Sequence, residues 1–301
     1  MQTLLPDRPQ LISGALGGPF VIYACTPLRN ALTLGSQDRF SGARLLLRKV
    51  FRGGPSAGWT GGGAPAVVAC PQFLALGPIY HTLNKGLRQA MGVQDSGHRL
   101  LPAGIASMGA ALCETCLTFG SQSRNAQMAY NNSFVAYSSV AEGERTMVPL
   151  NKPTQMWGVG AAPMLLRNAL SAGSVRVMSP WLQERLALPS FGPAGKAVFC
   201  DVCCSVSVCT LTAPAHQLFN FMATTPHARS LPSQERWLLA RDFVYKQYFQ
   251  QLPRKSPFDA PTYSWRVTGI AARDYGMRTV YVTSVFTIYM SIERSFCAMM
   301  R

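Results

Sequence analysis

Apolar stretches rich in small residues alternate with polar, basic stretches along this chain. Each apolar stretch is close to the ~20 residues that an α-helix needs to cross the hydrocarbon core of a bilayer. Glycines and prolines recur inside the stretches, as is typical of membrane helices that bend or pack closely. The pattern predicts an all-α membrane protein with six transmembrane helices, at about 11–32, 64–86, 101–122, 161–183, 195–219 and 269–292.

The same landmarks recur three times. A residue that permits a helix to bend lies near the end of each odd-numbered stretch, at intervals of about 94 residues: Pro27, Gly120 and Pro214. A tryptophan precedes each even-numbered stretch: Trp59, Trp157 and Trp265. These landmarks predict three tandem helix-pair repeats within a single domain, 1–301. The repeats cover about 11–90, 100–187 and 194–297.

The composition favours a membrane protein over a soluble one. Only 14% of the residues are charged and 48% are hydrophobic, so the chain lacks the polar surface of a soluble body of this size. The net charge of +15 suits nucleic acid, anionic lipid or an anionic solute as a partner. The arginines stand singly beside apolar stretches, without a run of five basic residues. This distribution favours anionic lipid and argues against nucleic acid.

Three segments resemble the repeat of the mitochondrial carrier family, which reads helix, Pro-x-acidic-x-x-basic, matrix loop, Gly-x-x-x-x-aromatic-basic-Gly, helix. Residues 54–61 are similar to the second motif except at Thr60. Residues 157–173 and 265–273 are similar to the starts of the family's fourth and sixth helices. The resemblance implies threefold pseudosymmetry, odd helices kinked at the three bend landmarks, and a multi-pass position in the mitochondrial inner membrane.

The resemblance also implies a ring of ion pairs that closes the matrix side, because carriers exchange such pairs during transport. The positions that are acidic in the family hold Arg29, Gln122 and His216. The positions that are basic in the family hold Leu32, Asn125 and Phe219. The corresponding pairs at the ends of the even helices are degraded too. We therefore expect no ring of salt bridges, with hydrogen bonds and apolar contacts filling this degenerate matrix gate.

Four residues are candidates for binding a substrate. Arg167 and Asn168 resemble the fourth-helix position at which carriers of carboxylates contact substrate, and Arg273 and Arg278 lie on the predicted sixth helix. If the helices assemble as expected, these cations face one water-filled cavity and attract an anion. In the alternative interpretation, which the missing gate favours, they pair with lipid phosphate or with acidic residues of the chain: Glu114, Asp201 or Asp274.

Two basic loops are expected to face the matrix. Loop 33–63 has five Lys/Arg and one acidic residue, and loop 222–268 has seven and three. An amphipathic helix predicted at 44–52 suits binding of cardiolipin or another anionic lipid, or caps the bundle. A second helix, predicted at 234–250, lies in an enlarged loop that offers aromatic anchors to a partner protein: Trp237, Tyr245, Tyr248 and Phe249.

The sequence shows no competing catalytic or metal-binding pattern. The glycines at 61–63 lack the lysine of a phosphate loop. Four histidines stand without an accompanying acidic or nucleophilic motif: His81, His98, His216 and His227. Four cysteines within one apolar stretch indicate close helix packing in preference to metal ligands: Cys200, Cys203, Cys204 and Cys209. We expect no enzymatic activity, cofactor or metal, and no cleavable targeting peptide within residues 1–10.

Two functions follow from these observations. Because the missing residues belong to the transport mechanism while the repeats belong to the fold, the sequence favours a transport-inactive structural or accessory subunit. Its expected partners are other inner-membrane proteins, as in a respiratory-chain complex. The alternative is a divergent carrier that exchanges a small anionic or carboxylate metabolite.

Overall fold

The computed structural model describes most of the chain in five ranges: 12–92, 100–135, 146–187, 192–254 and 262–299. The described residues are mostly helical. The prediction about a targeting peptide concerns residues that lie outside these ranges.

Six long helical segments, here called rods 1 to 6, dominate the structure. Prolines lie in the first turns of the helices that begin at Gly18, Thr26, Ser179 and Pro193, where the missing N–H is not needed. Rod 1 comprises a π-helical turn Ser13–Gly17, α1 Gly18–Ala24 and α2 Thr26–Gln37, and is followed by α3 Ala43–Val50 and a 3-10 turn Pro55–Trp59. Rod 2 is α4 Gly63–Ala90, and rod 3 is α5 Leu100–Tyr130 with a π-helical turn Asn131–Val135. Rod 4 comprises α6 Ala161–Gly173, a π-helical turn Ser174–Met178 and α7 Ser179–Arg185, and rod 5 is α8 Pro193–Thr224. After a 3-10 turn Pro226–Arg229 come α9 Ser233–Tyr248, β1 Phe249–Arg254, β2 Thr262–Val267 and rod 6, which is α10 Gly269–Met299.

Among the described residues, three helical stretches are long and apolar enough to cross a membrane: Pro55–Ala90, Leu100–Phe134 and Gly195–Thr224. Gly14–Ala24 is apolar but shorter. Large apolar side chains are also exposed on the rods, as suits contact with lipid: Leu16, Phe20, Val67, Met108, Leu211 and Val280. These lengths and surfaces are those of an α-helical membrane protein.

The rods form a closed ring in sequence order. Each rod packs against the next, and rod 6 packs against rod 1. At one end the odd rods also contact one another, because α2 touches rods 3 and 5, and rod 3 touches rod 5. This end, formed by residues 26–37, 119–127 and 219–224, is called the closed end below.

The odd rods differ in helix continuity near the three predicted bend landmarks. In rod 1 the helix breaks at Cys25, and Pro27 lies in the first turn of α2. The helices of rods 3 and 5 continue without a break through Gly120 and Pro214. Gly120 instead permits a close approach, because a Cβ there would lie 2.5 Å from the carbonyl oxygen of Lys152.

Replacing Gly120 by alanine is expected to destabilise the protein. Helix propensity favours alanine over glycine by about 1 kcal/mol, but the new Cβ would have to displace the backbone of residues 152–155. Gly104→Ala on the same helix is the matched control, since no atom lies within 4 Å of a Cβ there. We expect Gly120→Ala to lower the midpoint of thermal unfolding in detergent and Gly104→Ala to leave it unchanged or raise it. Equal midpoints would contradict this role of Gly120.

The predicted loop helix at 44–52 is observed as α3, which packs against α2. Its apolar residues Leu46 and Val50 are buried against Ala31 and Leu34 of rod 1. Its exposed surface carries two of the basic residues: Arg44 and Arg48. The helix therefore caps the closed end and still presents cations outward.

An ion pair fixes the start of the same loop. Lys49 Nζ lies 2.5 Å from Asp38 Oδ2, and the Ser41 hydroxyl also donates to Asp38. Burial by itself would raise the pKa of Asp38, but the hydrogen bonds from Lys49 and Ser41 outweigh burial and hold that pKa below its ordinary value. The carboxylate therefore stays charged and keeps α3 in place.

The enlarged third loop contains an element that the all-α prediction missed. After α9, strands β1 and β2 form an antiparallel pair, with Phe249 opposite Val267 and Arg254 opposite Thr262. Helix α9 was predicted at 234–250, and its last two predicted residues belong to β1. Aromatic and β-branched residues in β2 favour extended backbone, and the pairing of β1 with β2 across the loop overrides the helical period in β1.

Candidate functional site

A cavity of about 520 Å³ lies inside the ring and is lined by residues of all six rods. Its apolar lining includes Ile22, Phe73 and Val285. Ionisable and amide side chains come from every rod: Arg29, Gln72, Glu114, Gln122, Arg167, Asn168, Arg176, His216 and Arg278. A polar interior within an apolar ring is the arrangement of a solute- or ligand-binding membrane protein.

Positive charge dominates the cavity, since four arginines face one carboxylate in its described lining. Glu114 accepts a hydrogen bond from Gln72 Nε2 at 2.9 Å. Within the described ranges, the ion pairs closer than 4 Å are Lys49–Asp38, Lys246–Asp242 and Arg273–Asp274. Glu114 therefore balances one charge of the cavity at a distance, without a direct ion pair.

Arg167 occupies the middle of a neutral hydrogen-bond network. Its guanidinium donates to Asn168 Oδ1 at 3.0 and 2.7 Å and to Gln122 Oε1 at 3.1 Å, and its Nη1 lies 3.0 Å from His216 Nδ1. Because arginine can only donate, His216 Nδ1 must accept, which places the ring proton of a neutral His216 on Nε2. Gln122 and His216, two positions of the degenerate gate, thus orient Arg167 but supply no negative charge to pair with it.

Arg29, at the third position where the carrier resemblance implies an acidic residue, also lies in this cavity. It is only 6% exposed, and its Nε and Nη2 have no hydrogen-bond partner. Arg278 is buried to the same degree, with its Nε unpartnered and its guanidinium 5.4 Å from the centre of the Tyr281 ring. Arg29 therefore adds positive charge to the cavity, a role that the sequence did not indicate.

The prediction that Arg273 lines the same cavity as Arg278 is wrong. Arg273 pairs with Asp274 at 2.8 Å and donates to the carbonyl oxygens of Gly35, Asp38 and Ser41. The two arginines are five residues apart, which is roughly 140° around a helix, so they face different directions. The predicted alternative, pairing with an acidic residue, applies to Arg273.

Amide hydrogen bonds join two rods at the closed end. Asn125 Nδ2 donates to Asn30 Oδ1 and to the carbonyl oxygen of Thr60, both at 3.0 Å. Asn30 Nδ2 in turn donates to the carbonyl oxygens of Gly58 and Thr60 at 2.9 and 3.1 Å. Gly61, with φ of 75°, makes room for Asn125, because a Cβ there would lie 2.9 Å from Asn125 Nδ2.

The two remaining gate positions are apolar and fully buried. Leu32 and Phe219 are each 1% exposed. Phe219 packs edge-on against Phe119 of rod 3, with ring centres 6.3 Å apart. The guanidinium of Arg167 lies 5.8 Å from the centre of the Phe219 ring, so the apolar seal borders the cationic cavity directly.

Further hydrogen bonds, which the sequence analysis did not predict, join rod 3 to rod 5 and to the segment that precedes rod 4. Gln127 Nε2 of rod 3 donates to the carbonyl oxygen of Ala223 in rod 5, and Gln127 Oε1 accepts from the backbone N–H of Asn151. Arg124, one residue out of the gate register, donates to the carbonyl oxygen of Asn151. Polar amides on the apolar odd rods are the one signal that could have identified these contacts.

The predicted partner-binding residues divide into two groups. Trp237 is 68% exposed, and Tyr245 and Phe249 are also exposed. Tyr248, the fourth predicted anchor, is buried instead: it is 5% exposed, and its hydroxyl donates to Asp274 at 3.1 Å. The C-terminal end of α9 packs against rod 6, which buries Tyr248, whereas its N-terminal end projects outward.

Within the described part of the chain, eight cysteines are free thiols and no group of three His, Cys, Asp or Glu residues could hold a metal ion. Comparison of the sequence with protein-family models and with curated proteins finds no match.

Proposed function

We propose that this chain is a degenerate member of the mitochondrial carrier family that serves as a transport-inactive, structural or accessory subunit of an inner-membrane assembly, such as a respiratory-chain complex. Three tandem repeats with threefold pseudosymmetry and six membrane spans form part of this proposal. The sequence-ordered ring of six rods, with its odd rods touching at one end, supports it.

The observation that carries the proposal is the chemistry of the closed end. None of the ion pairs in the described ranges joins two rods. Amide hydrogen bonds from Asn30, Asn125 and Gln127 hold the odd rods together instead. Alternating access requires two closed arrangements of similar free energy, each sealed by interactions that the other lacks. Short amide side chains bonded to fixed backbone carbonyls offer no second partner, so they favour one arrangement.

The enlarged loop strengthens the same arrangement. Gln247 and Tyr248, at the end of α9, donate to Asp274 of rod 6, and Gln247 also donates to the carbonyl oxygen of Gly35 in rod 1. Rods 1 and 6 are therefore tied together from outside the ring. These contacts of Gln247 and Tyr248, here called the clamp, are compatible with a subunit of fixed shape. They would oppose the opening of this end in a transporter.

Two surfaces suit contacts within an assembly. The outer part of α9 and β1 exposes aromatic side chains that can anchor a partner protein: Trp237, Tyr245 and Phe249. The exposed arginines of α3 support binding of cardiolipin or another anionic lipid at the membrane surface: Arg44 and Arg48.

A divergent anion carrier is the second candidate, because four buried or half-buried arginines line one cavity. The two candidates differ in transport. We expect reconstituted protein to exchange no labelled carboxylate, phosphate or nucleotide, because its closed end lacks exchangeable ion pairs. Saturable exchange that Arg167→Ala abolishes would replace the first proposal with the second.

The assembly itself is tested by mild-detergent purification from mitochondria. Trp237→Ala is expected to release the chain from its partners, whereas Arg167→Ala, inside the ring, leaves them bound. The two variants are matched, since each truncates one large side chain. Release by Arg167→Ala alone would contradict the assignment of the partner surface to α9.

A further inference from the structure

Three arginines from three different rods converge at the inner end of the cavity, next to the closed end. Arg29 belongs to rod 1, Arg167 to rod 4 and Arg278 to rod 6, and each is about 95% buried. All three interact electrostatically with the phenol of Tyr281 and with the ring of His216. They therefore form one cluster of positive charge.

Within the described part of the chain, no carboxylate lies within ion-pairing distance of the three guanidinium groups. Glu114 acts on Arg167 and Arg278 only at a distance, so three positive charges share one remote negative charge. Glu114 is bonded to Gln72, and the hydrogen-bond acceptors around Arg167 are neutral. Burying several like charges without a counterion is costly, and in native proteins such groups are paired.

The unpaired nitrogens have the geometry of an oxyanion site. Arg29 leaves Nε and Nη2 free, and these two atoms form the guanidinium edge that presents two parallel N–H groups. This edge binds a phosphate or carboxylate through two hydrogen bonds. Arg278 adds a further free Nε. Donors that converge from three rods fit a tetrahedral, doubly charged anion better than a planar, singly charged one.

We propose that a phosphate group resides between Arg29, Arg167 and Arg278 and holds rods 1, 4 and 6 in the closed arrangement. The bound anion replaces the missing ring of ion pairs, since one negative centre shared by three cations attracts all three rods. It stabilises one conformation and does not pass through the protein. This inference rests on the proposed function in one respect: the protein performs its function in the arrangement whose odd rods touch at the closed end.

Thermal unfolding of lipid-depleted protein in detergent tests this site, with inorganic phosphate titrated against chloride at constant ionic strength. We expect phosphate to raise the unfolding midpoint, by about 2 °C at a tenfold excess over its Kd and with the logarithm of its concentration beyond that. Arg29→Gln is expected to be as stable as the unchanged protein, or more stable, without phosphate, because a repelling charge is gone, and to lose the phosphate shift. Arg29→Lys keeps the charge but loses the two-pronged edge, so part of the shift remains.

Arg241→Gln is the matched control, since Arg241 is exposed on α9 and should leave the shift intact. If Arg29→Gln does not accumulate, Arg278→Gln carries the same expectation. No rise with phosphate, a rise that persists in the Gln variants, or a larger rise with malonate than with phosphate would overturn the proposal.

Two sources of the phosphate group are distinguished by a second arm. Short-chain phosphatidic acid that raises the midpoint and abolishes the effect of inorganic phosphate indicates a lipid headgroup. An effect of inorganic phosphate alone indicates the free ion. Phosphate exchange is measured separately in liposomes. Exchange would contradict the proposal of a transport-inactive subunit but would leave the phosphate site in place. Absence of the midpoint shift would contradict the phosphate site alone.

Discussion

Asp274→Ala is expected to prevent accumulation of folded protein. Asp274 is fully buried and accepts hydrogen bonds from the guanidinium of Arg273 at 2.8 and 2.9 Å and from the hydroxyl of Tyr248 at 3.1 Å. Its removal leaves the guanidinium of Arg273 without a counterion, a change that costs about 3–5 kcal/mol in other buried pairs. That is a large part of the stability of a typical protein.

The measurement is the yield of monodisperse protein in detergent and its unfolding midpoint. Asp242→Ala is the matched control, because Asp242 pairs with Lys246 on the exposed side of α9 and should tolerate the change. Tyr248→Phe, which removes one hydrogen bond and keeps the ring, is expected to lower the midpoint by an intermediate amount. An Asp274→Ala protein as stable as Asp242→Ala would contradict the clamp.

Asn30→Leu is expected to destabilise the closed end by about 2–4 kcal/mol, because buried polar groups lose their partners. Asn30 is 1% exposed, and its amide satisfies the carbonyl oxygens of Gly58 and Thr60 while its oxygen accepts from Asn125. Leucine fills a similar volume, so the loss reports the hydrogen bonds and not a cavity.

Asn132→Leu is the control for this experiment, since Asn132 is exposed and donates to the hydroxyl of Thr60 at 3.1 Å. Chemical denaturation followed by circular dichroism gives the difference in unfolding free energy. Equal losses of unfolding free energy in the two variants would mean that the buried hydrogen bonds of Asn30 add no stability beyond that of an exposed one.

Periodic features of the chain were predictable from the sequence. The apolar stretches indicate all six rods, and the amphipathic patterns at 44–52 and 234–250 indicate α3 and α9 within two residues at each end. Such features depend on local spacing, which any window of the sequence contains. The pair β1–β2 depends on contacts across a loop, so local propensity could not establish it.

The cavity was predictable only in part. Arg167 and Asn168 lie where the resemblance implies, but Arg176 was not identified. It follows the start of the π-helical turn Ser174–Met178, which shifts the register of the following residues around the rod. At position 29 the sequence showed only that the acidic residue expected from the motif is missing. Comparison with a motif does not show which charged groups surround the arginine that stands there, so its place in the cavity was not predicted.

The order in which the chain is synthesised has a consequence for how the ring closes. Arg273 satisfies the carbonyl oxygens of Gly35, Asp38 and Ser41, from which it is separated by 238, 235 and 232 residues. The end of the first rod therefore lacks its hydrogen-bond donor until the last rod has been made and inserted. Closure must wait for the end of translation, and a chain that stops before rod 6 leaves the beginning of the protein incomplete.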